Sequence, residues 1–180
     1  MGQVRATSGH TFSRILPRVN LRVGLIHVDG WLNLPSVRFN KVIPAQNFYE
    51  RAIRFDDLFE TVVLPLKANR CLEVGAEFAE ETALTHRRHT YSFNDIDVIL
   101  LEGIFLLKRQ IQHLYDLSIW IDCTFETALE RAIRRGQEGL PPNEVIRAYQ
   151  TIYFPAQQIH FEIDHPHQAA SIVFRNDARI

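Results

Sequence analysis

The stretch from Asp97 to Leu107 constrains the fold of this chain more than any other feature. Residues Val98–Leu101 and Ile104–Leu107 are apolar at every position, so a strand formed here would be buried on both faces. Such strands are typical of parallel sheets covered by helices on both sides. Only Glu102-Gly103 interrupts the run. The stretch therefore predicts a central strand of an α/β sheet.

Glu102-Gly103 stands at the carboxyl end of this predicted strand. Open α/β sheets place their ligands at that edge, and a glycine lets the backbone come close to a ligand. A charge there needs a partner, and a metal-bound phosphate is a common one. Glu102 can instead cap the following helix, and the motif alone leaves both interpretations open.

A second carboxylate occupies an equivalent position earlier in the chain. The β-branched and apolar run Leu21–Val28 predicts a strand that ends at Asp29-Gly30-Trp31. An aspartate at the end of a strand, followed by glycine and an aromatic residue, is again typical of the ligand side of a sheet. The alternative is an aspartate that only shapes a turn.

Composition narrows the class of protein. With 180 residues, 46% hydrophobic and 23% charged, the chain can form one domain with a sizeable core. A net charge of -1 gives no general reason to expect nucleic acid or an anionic membrane as a partner. Cys71 and Cys123 have neither metal-site nor disulfide-scaffold spacing, and no apolar run approaches the roughly 20 residues of a membrane span. We expect a cytoplasmic protein.

The residues Ser8-Gly9-His10-Thr11 look like the end of a phosphate-binding loop. In such loops Gly-Lys-Ser/Thr opens a helix, and successive backbone N–H groups surround phosphate oxygens. The pattern is incomplete, because Val4 stands where the first glycine would fall and His10 replaces the lysine. A histidine is shorter and near neutral pH carries at best part of the charge of lysine. A plain turn is the alternative.

A helix rich in arginine follows Thr124, the predicted N-cap. Its apolar residues lie on one face and its three arginines on the opposite face. The apolar residues are Leu129, Ala132 and Ile133, and the arginines are Arg131, Arg134 and Arg135. Three guanidinium groups can hold a polyphosphate through bidentate hydrogen bonds. Alternatively, they are solvated surface charges that only keep the protein in solution. The Gly136–Gly139 segment that follows is a predicted hinge.

The remaining segments add helices and strands in alternation. We expect helices at Phe12–Leu16, at Asn47–Lys67 with a kink or an end at Pro65, at Arg109–Tyr115, and from Pro142 with a kink at Pro155. We expect strands at Leu117–Asp122 and Ser171–Arg175, and a loop at Leu34–Pro44. Leu72–Phe93 gives no clear pattern, and its basic cluster Thr85–Thr90 can meet a phosphate or form a solvated face. The late group of His160, Glu162, Asp164, His165 and His167 matches no familiar zinc pattern, which leaves a metal site there a remote option.

Taken together, Asp29-Gly30-Trp31, Leu101-Glu102-Gly103 and the arginine helix resemble the uridine kinase and phosphoribulokinase family of P-loop kinases. The resemblance runs from about Val23 to the C-terminus and includes Tyr153-Phe154-Pro155-Ala156. It implies an α/β fold: a three-layer parallel sheet with helices on both faces. Residues 1–180 would form a single P-loop kinase-like domain with a lid at about 131–142.

The resemblance also implies roles for individual residues. Asp29 would take the proton from the acceptor hydroxyl, and the lid arginines would close on the nucleotide phosphates. The implied catalytic residues are Asp29, Glu102, Arg131 and Arg135; the nucleotide-binding residues are Ser8, Gly9, His10, Thr11 and Arg134; and the magnesium ligands are Thr11, Asp29 and Glu102. Tyr49, Glu50 and Arg51 fall roughly where the family binds its nucleoside, but they receive no role here.

The implied reaction is transfer of the ATP γ-phosphoryl group, with Mg²⁺, to a hydroxyl of a nucleoside or a similar sugar-like small molecule. Only seven residues precede Ser8. We therefore expect a first central strand that is short or missing, an N-terminus that is truncated or eroded, and weak ATP binding. A catalytically impaired kinase-like scaffold that binds a phosphorylated metabolite or partner is the alternative. Assembly into a homo-oligomer is left open.

Overall fold

The computed structural model describes residues 20–136 and 139–179. The chain combines helices and strands, as the sequence predicts for an α/β protein, but the four strands between residues 72 and 122 follow one another with no α-helix between them. In order the helices and strands are β1 (Val23–His27), α1 (Pro35–Arg38), α2 (Pro44–Arg51), α3 (Phe55–Leu58), α4 (Leu64–Asn69), β2 (Leu72–Phe78), β3 (Arg87–Phe93), β4 (Val98–Glu102), β5 (Ile119–Asp122), α5 (Phe125–Arg135), α6 (Pro142–Ala148), α7 (Phe154–Asp164), α8 (Pro166–Ala169) and β6 (Ile172–Arg175). Short 3-10 segments lie at Val28–Gly30 and Gln112–Leu114, and π-helical segments at Phe59–Val63 and Tyr149–Tyr153.

The described residues fall into two compact units. We call residues 20–38 and 51–104 the N-terminal unit, and residues 39–50, 105–136 and 139–179 the C-terminal unit. In the N-terminal unit β1 pairs with β4 in parallel and β2 pairs with β3 in antiparallel fashion. In the C-terminal unit β5 pairs with β6 in parallel. The expected short first strand falls on residues outside the described part of the chain.

The parallel pair β1–β4 is the frame of the N-terminal unit. Its register runs from Val23 opposite Val98 to His27 opposite Glu102, so both strands end at the same edge. At the other edge Asp97 accepts hydrogen bonds at 2.9 Å from the backbone N and the Nε of Arg22. These hydrogen bonds hold the pKa of Asp97 below its usual range. These contacts fix the N-terminal end of the pair.

The segment for which the sequence gives no clear pattern forms a hairpin. Leu72 pairs with Phe93 at one end of the β2–β3 ladder and Phe78 with Arg87 at the other. The basic cluster extends into β3, where Arg87 is exposed, lies 4.3 Å from the ring centroid of Phe78 and pairs with Glu80 at 3.2 Å. These contacts favour the solvated-face interpretation of Arg87.

The helix predicted over Asn47–Lys67 is wrong in its limits. The chain leaves α2 after Arg51, because Ile53 forms a bridge with Leu32, and it becomes helical again at Phe55. That second run continues past Pro65 to Asn69. A π-helical segment ends two residues before the proline, and its wider turn accommodates a residue that has no N–H to donate.

A helix in the C-terminal unit also continues through a proline. The helical run from Pro142 to Asp164 continues through Pro155, and the π-helical segment Tyr149–Tyr153 again ends two residues before the proline. The helix predicted at Arg109–Tyr115 is wrong in extent, because only the 3-10 turn Gln112–Leu114 forms there. Residues 12–16, a further predicted helix, lie outside the described residues.

The prediction of a loop over Leu34–Pro44 is wrong in part, because one helical turn, α1, forms within it. Its last residue, Arg38, is buried, and its guanidinium donates hydrogen bonds to the carbonyl oxygens of Asn33, at 2.7 Å, and Glu81. Both acceptors lie in the N-terminal unit. The buried charge therefore holds the segment after Trp31 against the hairpin loop.

Helix α5 begins as the sequence predicts. The Thr124 hydroxyl accepts a hydrogen bond at 3.2 Å from the backbone N of Thr127, which is an N-cap interaction. Thr124 in turn donates from its backbone N, at 2.9 Å, and from its hydroxyl, at 2.8 Å, to Asp177. Ala132 packs against Val145 in the core of the C-terminal unit. This cap and this contact set the direction in which the arginine helix leaves β5.

Within the part of the chain that the structure describes, none of the helices has both the length and the apolar character needed to cross a membrane.

Candidate active site

Two carboxylates lie at one edge of the β1–β4 pair. Beyond His27 the chain turns through the 3-10 segment Val28–Gly30, which holds Asp29 with 3% of its surface exposed. Glu102 is the last residue of β4. Parallel strands that are paired in register carry their C-terminal residues to the same edge, which is where such sheets bind ligands. The structure therefore places Asp29 and Glu102 where the sequence predicts a ligand site.

Glu102 has a partner that the sequence analysis missed. His27 lies directly opposite Glu102 in the ladder, and its Nδ1 is 2.6 Å from Oε2 of Glu102. An ionised carboxylate can only accept, so the imidazole donates. In the sequence, His27 lies two residues before Asp29, which marks the predicted ligand edge. Its pairing with a residue 75 positions away depends on the strand register, which the sequence does not show.

The glycines after the two carboxylates serve close packing. A Cβ on Gly103, whose φ is +153°, would lie 1.9 Å from Cγ2 of Val28. A Cβ on Gly30 would lie 2.3 Å from the ring of Phe78, and the Gly30 carbonyl accepts a hydrogen bond from Ala79 N at 3.1 Å. Both positions thus require glycine for contacts within the N-terminal unit.

The three predicted lid arginines all lie on α5, in the C-terminal unit. Nη2 of Arg131 donates to the carbonyl oxygen of Asn176 at 2.6 Å, which ties this side chain to the segment after β6. Arg134 is exposed and Arg135 is half-buried. Gly136 ends the helix with φ +60°, and a Cβ there would meet nothing within 4 Å. This glycine supplies backbone freedom at the start of the predicted hinge.

The predicted phosphate-loop residues Ser8, Gly9, His10 and Thr11 lie outside the described part of the chain. Within the described residues, no group of three or more His, Cys, Asp or Glu side chains is arranged to hold a metal ion. Magnesium is usually held by one or two carboxylates together with substrate phosphates and water. Asp29 and Glu102 offer oxygen ligands of that type, so the donors present fit magnesium.

A buried polar cluster occupies the C-terminal unit. Asp164 accepts hydrogen bonds from the Tyr49 hydroxyl at 2.7 Å, from Nδ1 of His160 at 2.6 Å and from the backbone N of Arg109 at 2.9 Å. Burial lowers the pKa of His160, although its hydrogen bond to Asp164 acts in the opposite direction. Burial raises the pKa of Asp164, but these three hydrogen bonds outweigh it and the net shift is downward. Two residues of the suspected late metal group are thus engaged with each other.

Comparison with curated proteins shows that the chain is similar to two kinases. It is 27% identical over 142 residues to uridine-cytidine kinase B of Dictyostelium discoideum, a match that covers 76% of this chain and 57% of the relative. It is 26% identical over 149 residues to uridine-cytidine kinase A of the same organism, covering 79% of this chain and 29% of the relative. The chain thus spans little more than half the length of the first relative and less than a third of the second. No family model matches.

Solved structures share the architecture. A possible uridine kinase from Bacillus stearothermophilus superposes with a TM-score of 0.71 at 20% identity, over 93% of this chain and 80% of that one. Phosphoribulokinase from Rhodobacter spheroides gives a TM-score of 0.65 at 16% identity, over 98% and 68% of the two chains. At these identities the likeness shows the fold. The predicted α/β fold of P-loop kinases is confirmed.

Proposed function

We propose that this chain, which is similar to uridine-cytidine kinases and has the fold of P-loop kinases, transfers the γ-phosphoryl group of ATP to a hydroxyl of a small molecule. The proposed acceptor is a nucleoside or a similar sugar-like alcohol. The observation that carries the proposal is the position of Asp29 and Glu102 at the C-terminal edge of one parallel strand pair.

Asp29 is the proposed general base. A carboxylate that is 97% buried at the end of a strand is held in one place, and it can accept the proton of an acceptor hydroxyl as that oxygen attacks phosphorus. Directly after Asp29, Gly30 lets the backbone lie close to the ring of Phe78. This close packing fixes the turn that carries Asp29. These contacts hold Asp29 in place at the end of the strand.

Asp29 and Glu102, with Thr11, are the proposed magnesium ligands. When bound, magnesium neutralises charge on the phosphate oxygens during transfer. Glu102 is held by His27 on one side of its carboxylate, and the backbone after it packs closely at Gly103. These contacts orient a carboxylate at the edge where phosphate oxygens would approach.

The α5 arginines and the phosphate loop are proposed to bind the nucleotide. Arg131, Arg134 and Arg135 would neutralise charge on the phosphates, and the N-terminal residues Ser8–Thr11 would surround phosphate oxygens with backbone N–H groups. A closing lid at about 131–142 would exclude water, which competes with the acceptor. Catalysis would arise from positioning and electrostatics rather than from covalent chemistry.

Acceptor-dependent formation of ADP tests this proposal. Purified protein is incubated with ATP, magnesium and a panel of nucleosides and sugar alcohols, and ADP is measured with and without each acceptor. Replacing Asp29 by Asn should lower turnover by roughly 10²- to 10⁴-fold, the usual contribution of a general base. The matched control is Asp56→Asn, because Asp56 is exposed in the same unit. Unchanged turnover in the Asp29 variant would remove the assigned base.

A second candidate is a kinase-like scaffold that binds a phosphorylated metabolite or a partner without catalysis. The observation in its favour is His10 at the position where phosphate loops carry lysine. Calorimetric titration with magnesium and a non-hydrolysable ATP analogue separates the two candidates. Micromolar binding supports the kinase. Absence of binding up to millimolar concentration, recovered in His10→Lys, would support the scaffold.

A further inference from the structure

The contact between His27 and Glu102 joins the last residues of two paired strands. Both backbones are fixed by the parallel ladder, in which these two residues are direct partners. Nδ1 of His27 lies 2.6 Å from Oε2 of Glu102. The side chain of Glu102 is 16% exposed and that of His27 is 42% exposed. The histidine therefore reaches the carboxylate from a partly solvated position.

This hydrogen bond engages one carboxylate oxygen. Among the described residues no group is hydrogen-bonded to Oε1 of Glu102. The donor is rigid, since an imidazole ring on a paired strand has only two side-chain torsions. A carboxylate held through one oxygen presents its other oxygen in a defined direction. Metal-binding carboxylates are often oriented by a second residue in this way.

We propose that His27 is a positioning residue that orients Glu102 for a divalent cation. The proposal rests on the metal role given to Glu102 under the proposed function. His27 does not itself touch the cation or the substrate. It donates from Nδ1 to Oε2, which leaves Oε1 of the same carboxylate for the cation.

A purely structural role predicts a different outcome. Ion pairs and hydrogen bonds between partly exposed side chains contribute little to the stability of a fold. If the contact were only structural, loss of His27 should change neither the metal affinity nor the thermal stability by much. A positioning role predicts that metal affinity falls while thermal stability stays nearly constant.

Binding of Mn²⁺, followed by electron paramagnetic resonance, tests the inference. The full chain is titrated with Mn²⁺ in the presence of a non-hydrolysable ATP analogue. His27→Ala should weaken Mn²⁺ binding by about 10- to 100-fold, the usual effect of losing a residue that orients a metal ligand. His27→Asn should restore most of the affinity, because its amide nitrogen occupies the place of Nδ1. His167→Ala, an exposed histidine outside the site, is the control.

Three results would overturn the inference: unchanged Mn²⁺ affinity in His27→Ala, equal weakness in His27→Asn and His27→Ala, or unchanged affinity in Glu102→Gln. If His27→Ala does not fold, the comparison of His27→Asn with His27→Gln replaces it, because glutamine places its nitrogen one bond farther away. This readout does not need catalysis. Wild-type protein that binds Mn²⁺ through Glu102 yet phosphorylates no acceptor would refute the proposed function and leave the role of His27 intact.

Discussion

Replacing Asp164 by Ala should destabilise the protein strongly, because Asp164 is the shared acceptor of a buried cluster. It is 4% exposed, and Tyr49, His160 and the backbone of Arg109 all donate to it. Lys108 is also buried, and burial lowers its pKa while the charge of Asp164 raises it. Removal of the carboxylate leaves three donors without their acceptor and withdraws the charge that favours the lysine cation.

The magnitude follows from these contacts. Each buried donor left without an acceptor costs about 1–3 kcal/mol, so three would cost about 3–9 kcal/mol if nothing relaxed. Relaxation and entry of water reduce such sums, and breaking a buried charged contact usually costs about 3–5 kcal/mol. We expect a loss of that size for Asp164→Ala. Tyr49→Phe removes only one hydrogen bond to a charged group, so its expected cost is about 1.5–3 kcal/mol.

Equilibrium urea unfolding, followed by circular dichroism, measures these losses. Glu162→Ala is the control, because Glu162 is exposed on the same helix and should change the free energy of unfolding by less than about 0.5 kcal/mol. The double variant Tyr49→Phe/Asp164→Ala should be no less stable than Asp164→Ala alone, because the hydroxyl has then lost its acceptor. A cost below about 1 kcal/mol for Asp164→Ala would refute the view that the cluster stabilises this unit.

Three further predictions concern pH, packing and the lid. Burial holds the pKa of His160 below its ordinary 6.5, so the unfolded chain takes up a proton first and stability should fall as pH drops below about 6.5; His160→Gln should flatten that part of the curve. Gly103→Ala places a Cβ against Val28 and should lower the free energy of unfolding by about 1–3 kcal/mol in thermal denaturation, whereas no loss would contradict the close packing. Arg134→Gln should lower phosphoryl transfer by about tenfold or more with an unchanged melting temperature, whereas Arg147→Gln, an exposed arginine on α6, should leave the rate as it was.

Local patterns in the sequence were enough for several elements. The run Val98–Leu101 is apolar on both faces, and it forms a strand of a parallel pair as predicted. Thr124 caps α5 because its hydroxyl is placed next to the first free backbone N–H groups, a strictly local interaction. The hairpin could also have been found, since His89, Tyr91 and Phe93 alternate with polar residues in β3. Its basic residues hid that alternation.

Other features depend on contacts that no local pattern shows. A proline inside a helical pattern suggests a break, yet the π-helical segments before Pro65 and Pro155 allow both helices to continue. Tyr49 and Asp164 are 115 residues apart and meet only in the folded C-terminal unit. His27 finds Glu102 through strand register. The sequence was enough to predict where β1 and β4 end, but it did not show which side chains pair at those ends.

Phosphorus-31 NMR of a reaction mixture tests the kinase proposal most directly, because it distinguishes transfer to an acceptor from hydrolysis by water. ATP, magnesium and a panel of nucleosides and sugar alcohols are followed with wild-type protein and with Asp29→Asn. The account predicts a new phosphomonoester resonance that appears as the γ-phosphate of ATP is consumed, only with an acceptor present and far more slowly in Asp29→Asn. Consumption of ATP to inorganic phosphate alone, or equal rates in the two proteins, would contradict it.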